Sequence, residues 1–199
     1  AAIEVILQAR KKDGPFKDLF DFCNRLDLRK VNRRVVESLI RAGAFDKLSP
    51  SRNALLAGVA TAMSAAEQNS ANSNQNSLFG DVVDKAANVL PNVPDWSEQQ
   101  RLQEEKAALG FYFSGHPYWA YQKDLSQFIS TTLANLTPKE QPQLLAGIVS
   151  GIRIRMTGRG KMAIVGIDDG TTRIEVVVGN ELLNQSQSLL KDDQLVIIE

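Results

Sequence analysis

The residues of this chain best suited to recognition are Gln75-Asn76-Ser77-Leu78-Phe79. They end a stretch from Gln68 to Ser77 that is nearly free of apolar side chains, so Leu78 and Phe79 have no helix or strand of their own to pack against. Gln75 can hydrogen-bond at the rim of a pocket while Leu78 and Phe79, just beyond Ser77, fill an apolar groove in a partner. Burying both side chains is worth roughly 3–6 kcal/mol, at about 1.5–3 kcal/mol each. Ordering the surrounding chain opposes this, so a lone peptide of this kind binds on the order of micromolar. Tethering to a protein already at the site raises the effective concentration and makes such weak docking useful.

Other reactive residue types read as structural. His116, the only histidine, precedes Pro117 and has no Ser or Cys nucleophile arrangement around it, which predicts a turn residue bonded to the backbone. Asp168-Asp169 is followed by Gly170, the chemistry of a strand-to-strand turn. Cys23, the only cysteine, lies in an apolar helical pattern, predicting a buried thiol in a reducing cytosol. His/Cys spacing for a metal site is lacking. Trp96, Tyr112, Tyr118 and Trp119 read as core or inter-domain packing.

The chain has 199 residues and a net charge of zero, and the average conceals a pattern. Residues 1–53 carry 12 Lys/Arg against 7 Asp/Glu, and residues 54–100 carry 1 against 5, so a polyanion would meet a basic front and then an acidic connector. Neither a membrane-length apolar run nor an amino-terminal signal segment is present. The chain starts mid-pattern at Ala1-Ala2-Ile3 and stops inside the apolar run Leu195 to Ile198, as expected of part of a longer polypeptide.

The elements that must position these residues follow from hydrophobic periodicity. Ile3, Ile6 and Leu7 predict one helix, stopped at Gly14-Pro15, and Leu19, Phe20, Cys23 and Leu26 a second. Asn32 caps a third with Val35, Val36, Leu39 and Ile40 on one face, closed by Gly43. A fourth follows Ser51, with Leu55, Leu56, Val59 and Met63 in a stripe. From Gln68 to about Pro94 the composition predicts a mobile linker. Ser97 and Gln100 have capping-box spacing for a helix carrying Leu102 and Leu109 and ended by Gly110. The tail changes to strand periodicity at 145–156, 162–167, 173–178 and 195–198, with a helix between 182 and 190. Three strands in a meander, a helix and another strand is the order of an OB-fold barrel without its last strand. The fold class is therefore α+β: a helical unit at 1–67, a linker at 68–95, a helical connector at 96–143 and a partial OB-fold at 144–199.

Several segments together resemble the alpha subunit of bacterial replicative DNA polymerase III. Leu39-Ile40-Arg41-Ala42-Gly43-Ala44-Phe45-Asp46 resembles that family's second helix-hairpin-helix. Leu109-Gly110-Phe111-Tyr112-Phe113-Ser114-Gly115-His116-Pro117 is similar to the block that follows its clamp-binding linker, and the terminal strands match its OB domain in order and position. The resemblance covers essentially the whole chain and suits the type with a carboxy-terminal OB domain. It implies a DNA-directed DNA polymerase whose catalytic, magnesium-dependent residues lie upstream, with none in this part. It makes Gln75, Ser77, Leu78 and Phe79 a peptide for the sliding clamp beta subunit. The implied partners are duplex and single-stranded DNA and the other replicase subunits, in the cytoplasm, with no membrane.

In a helix-hairpin-helix, glycines let the backbone approach a phosphate that N–H groups at the next helix start then bind. Only Gly43 remains of the usual glycine pair here, so a plain packed helical unit stands beside the DNA-binding reading. Arg29, Lys30, Arg33, Arg34 and Arg41 are the accompanying candidates for duplex contact. In the tail, Arg153, Arg155, Arg159, Lys161 and Arg173 lie on or beside the first three strands, where OB barrels track single strands. Residues 144–199 contain no Phe, Tyr or Trp, so binding there is expected to be weak, mainly electrostatic and salt-sensitive. Two rival readings remain: a non-catalytic OB adaptor that recruits partners through its linker, and a purely structural interaction protein without DNA affinity.

Overall fold

A computed structural model describes residues 2–49, 51–74, 89–129, 131–158 and 160–199. The chain forms two compact units, 1–113 and 114–199.

The first unit is helical. Helices α1 (Ala2–Asp13), α2 (Leu19–Arg25), α3 (Arg33–Arg41), α4 (Arg52–Asn74) and α5 (Glu98–Leu109) follow one another. Asp18 caps α2 by accepting from Asp21 N at 2.8 Å, and Asn32 caps α3 by accepting from Val35 N at 3.1 Å. Gly43 closes α3 in the left-handed region, with φ 81°. Its N–H and that of Ala44 donate to the Ile40 and Leu39 carbonyls, each at 2.9 Å. The buried faces of α2, α3 and α4 build one core, including Leu19, Phe22, Val36, Ile40, Leu55 and Val59, with Val5, Ile6 and Ala9 of α1 packed against it. Phe22 meets Phe16 and Phe45 edge-on at centroid separations of 4.8 and 4.9 Å.

Arg25 fastens α1 to this core. Its guanidinium donates to the Ala9 and Gly14 carbonyls at 2.7 and 2.8 Å and lies over the Phe16 ring. A side chain from α2 thereby ties the last turns of α1 to the chain just past its end. Cys23 is buried as expected, and burial pushes its thiol up to about 11, which leaves it unreactive.

The expected boundary at 67 falls inside α4, which continues to Asn74. Asn69 finds a partner in the Asn24 side chain at 2.9 Å, which ties this polar extension of the helix to α2. Residues 89–95 are extended and lie along the start of α4. A Cβ on Gly58 would come within 2.6 Å of Leu90, and Asn53 donates to the Pro94 carbonyl at 2.6 Å. Ser97 then caps α5 by accepting from Gln100 N at 3.2 Å, and Gly110 ends it with φ 85°.

The stretch 96–143 does not act as one connector. Its first part packs with the helical unit because Glu105 of α5 is completely buried against Arg52 at 2.8 Å. Arg52 also grips both carboxylate oxygens of Asp46, at 2.8 and 2.7 Å, and donates to the Arg41 carbonyl. These anions hold Arg52 above its ordinary pKa, with its hydrogen bond to Asp46 the main cause.

In the second unit, β1 (Leu145–Thr157), β2 (Gly160–Asp168), β3 (Arg173–Val178) and β4 (Leu195–Ile198) form an antiparallel sheet of order β3-β2-β1-β4. Helix α7 (Asn180–Ser186) lies between β3 and β4; it stops short of the expected Leu190, where the chain turns instead. Strand β1 pairs with both β2 and β4, and its register shifts between Val149 and Ile152, where Gly151 has φ 138°. Such a bulge bends a long strand, as a curling sheet requires. The order and the placement of the helix are those of a partial OB-like fold. Its core lies on one face of the sheet, with Val149, Ala163, Val165, Ile167 and Leu183 buried there.

The opposite face carries a second, smaller core. Tyr118, in the 3-10 turn Pro117–Ala120, and Leu125, in the short helix α6 (Gln122–Leu125), pack on Ala146 and Ile148. Replacing Glu105 by alanine removes one of the two carboxylates that hold the buried Arg52, so urea denaturation should show the helical unit destabilised by up to about 3 kcal/mol. The unit's core reports the loss, and unchanged stability would mean that the ion pair contributes nothing.

Candidate nucleic-acid interfaces

Two separate surfaces gather the basic residues, one on each unit. On the helical unit, Arg29, Lys30, Arg33 and Arg34 collect within six residues around the start of α3, all exposed. No acidic residue stands in the first turn of α3. The positive end of the helix dipole therefore meets four like charges, an arrangement that a bound anion would relieve. Arg33 is partly neutralised by Glu37 at 2.6 Å, and Arg29 reaches Asp27 only at 4.0 Å. Arg41 lies at the other end of α3 and pairs with Glu104 at 3.3 Å, so it does not join the group.

Gly43 has a task that its sequence context did not reveal. Its N–H is already donated, and a Cβ there would lie 2.4 Å from the Arg52 guanidinium and 2.9 Å from Asp46. The hairpin's missing side chain makes room for a buried arginine.

On the second unit, strand register sorts the candidates. Arg153 is opposite Ile164, Arg155 opposite Met162, and Arg173 opposite Asp168, and all three point to the face away from the main core. Lys161 is opposite Met156 and falls on the other face, because a one-residue step along a strand reverses the side chain. Arg159 lies outside the described residues, as do Gln75, Ser77, Leu78 and Phe79.

The arginine face is flanked by glycines. A Cβ on Gly166 would lie 2.7 Å from the Arg173 guanidinium and 2.8 Å from Ser150 Oγ. Arg173 thus lies flat across β2 towards β1 instead of projecting into water. Arg153 pairs with Glu175, whereas Arg155 and Arg173 form no ion pair among the described residues.

The turn after β2 ties this face to the segment before β1. His116 accepts from Tyr118 N at 3.3 Å, the backbone-bonded turn role expected of it, and its Nε2 lies 3.4 Å from Asp168. Asp169 is buried and accepts from Leu133 N at 2.8 Å, Thr171 Oγ1 at 2.6 Å, and the Thr171 and Thr172 N–H groups. Both aspartates do the hairpin work anticipated. Trp119 departs from the packing role, being 52% exposed. Among the described residues no cluster of three or more His, Cys, Asp or Glu could hold a metal. No described helix is long and apolar enough to cross a membrane.

A helix-hairpin-helix unit followed by a partial OB-like sheet on one chain defines the architecture. A family model described as a helix-hairpin-helix motif matches residues 1–55. The DNA polymerase III subunit alpha of Neisseria meningitidis serogroup B is 43% identical over 200 residues, covering 100% of this chain and 17% of that protein. Those of Vibrio cholerae and Escherichia coli are 41% and 36% identical, each over 98% of this chain and 18% of their own length. The chain belongs to the DNA polymerase III alpha-subunit family and spans under a fifth of the length of these relatives.

Burial raises the Asp169 pKa, but the Thr171 hydroxyl and the Leu133, Thr171 and Thr172 N–H groups outweigh it, leaving the carboxyl below its ordinary 3.8. A depressed folded pKa gives stability that is present above about pH 4 and lost as pH falls through the folded value. Acid titration should therefore loosen the second unit below pH 4. Asp169→Ala should already cost about 2–4 kcal/mol at neutral pH, and an acid transition unaltered by that change would assign it elsewhere.

Proposed function

We propose that this chain is the part of a replicative DNA polymerase alpha subunit that guides duplex and single-stranded DNA and holds the enzyme to its sliding clamp. The observation that carries the reading is the alignment of the entire chain with a segment of polymerase III alpha subunits, with basic residues gathered on both modules. In the whole subunit, nucleotidyl transfer with magnesium would rest on residues outside this chain. The chain's own contribution is binding: the start of α3 towards duplex phosphates, and the Arg153–Arg155–Arg173 face towards a single strand.

Clamp docking rests on Gln75, Leu78 and Phe79. A peptide spanning Asn72 to Asp81, titrated against a bacterial sliding clamp, should bind on the order of micromolar. Leu78→Ala with Phe79→Ala should abolish clamp binding by the whole chain without changing its helical content. Equal binding by the double variant would remove the docking role while leaving the family assignment intact.

Single-stranded DNA affinity should fall steeply as salt rises, because phosphate contacts release counterions. Replacing Arg155 and Arg173 together should reduce the slope of log affinity against log salt by about 1.4, at roughly 0.7 per contact. A flat dependence in the parent chain would favour the structural reading, in which neither module meets nucleic acid.

A further inference from the structure

The sheet of the second unit has a basic face but no aromatic residue of its own, and the structure supplies one from outside the sheet. We propose that Trp119 is a base-stacking platform for single-stranded nucleic acid crossing the Arg173–Arg153–Arg155 face. This rests on the single-strand reading above and adds to it a residue that contacts bases instead of phosphates.

Trp119 belongs to the 3-10 turn whose neighbour Tyr118 is buried on Ala146 and Ile148. Those two residues lie on the same sheet face as the arginines, since Ile148 is opposite Asp168 and Asp168 is opposite Arg173. Beside Trp119, His116 reaches Asp168 at 3.4 Å. The indole Nε1 sits 2.6 Å from where a Cβ of Gly170 would be, and Gly170 has φ 79°. The indole is therefore seated against the β2–β3 turn, one side lodged where only glycine leaves room. It is still 52% exposed.

A large ring held in place with half its surface open is what stacking requires, because little side-chain freedom is lost on binding. Arg173 begins β3 three residues after Gly170 and lies flat across Gly166, which leaves a low floor beside the ring. From Asp168 to Met162, the residue opposite Arg155, the strand covers about 20 Å. That span accommodates several nucleotides and agrees with sites of about 4–16 nucleotides per OB fold. A single strand is the fitting occupant: its phosphates match the unpaired Arg155 and Arg173, and its unstacked bases offer the ring a flat partner. Asp168 is engaged by His116 and Glu175 by Arg153, so the acidic residues of this face are occupied.

The test uses the full chain carrying Trp96→Phe, so that Trp119 alone emits. An oligothymidylate of about twelve nucleotides, within the size range of such sites, should quench that emission as it binds at low salt. Trp119→Leu should weaken binding about tenfold and Trp119→Phe less than threefold, with the salt slope unchanged in both. An abasic oligomer of the same length should bind parent and Trp119→Leu chains equally. Full affinity in Trp119→Leu, or thymidylate binding without quenching, overturns the stacking role while the arginine face stands. Equal loss for the abasic oligomer also overturns it, since the residue would then act through the fold. A parent chain that binds neither oligomer overturns the single-strand reading beneath it.

Discussion

The helical unit depends on one buried ion pair, Arg52 with Glu105 at 2.8 Å. Desolvating two charges costs several kcal/mol each unless their remaining hydrogen-bonding capacity is met. Here it is largely met: Arg52 also reaches Asp46 and the Arg41 carbonyl, and the second Glu105 oxygen accepts from Phe113 N at 3.0 Å. The network gathers the end of α3, the start of α4, α5 and the chain beyond α5 around one guanidinium. Burial of Glu105 explains why residues 96–113 belong to this unit. It also explains Gly43, whose absent side chain is the space Arg52 fills. A glycine that resembles a phosphate-binding hairpin is thus engaged in packing, and the open positive charge of the unit shifts to the start of α3.

A different constraint governs the second unit. A 13-residue strand must pair with neighbours on both sides and still curl, so the ladder breaks at Gly151. The side chains on either side of that bulge meet different surroundings on the same face. Before it, Ala146 and Ile148 are covered by Tyr118 and Leu125. After it, Arg153 and Arg155 stand open. One face thereby serves packing at one end and charge display at the other, and the covering segment seats Trp119 at the β2–β3 turn, beyond the row of Ile148 and Asp168.

The helices and strands were legible because their signals are local. Asn32, Ser97 and Gly110 cap where their chemistry dictates, and partial alternation in the first strand, turn residues between strands and the apolar run at 195–198 located the four described strands. The whole-chain resemblance to polymerase III alpha subunits rests likewise on short blocks, and the relatives support it. The interaction between α4 and α5 was not legible, because Arg52 and Glu105 are 53 positions apart and each alone reads as a surface charge. Lys161 was grouped with the arginines by proximity in sequence, although its register puts it on the opposite face. Trp119 read as core because tryptophan usually is; only the seat at Gly170 distinguishes a held ring from a buried one.

Zero net charge is the condition under which such a chain can use many weak contacts. A uniformly basic surface would hold nucleic acid at every point and release it slowly, since each neutralised phosphate adds to the affinity. Here Arg33 is tempered by Glu37, Arg41 by Glu104 and Arg153 by Glu175, so few cations on each module are left for a polyanion. Each surface alone is then weak, and several engaged together multiply through effective concentration. Weak sites that act in concert can be broken and remade one at a time, which is what a protein advancing along a strand requires of its grip. If the two modules grip nucleic acid as proposed, the acidic partners on the basic faces limit how tightly either one can hold.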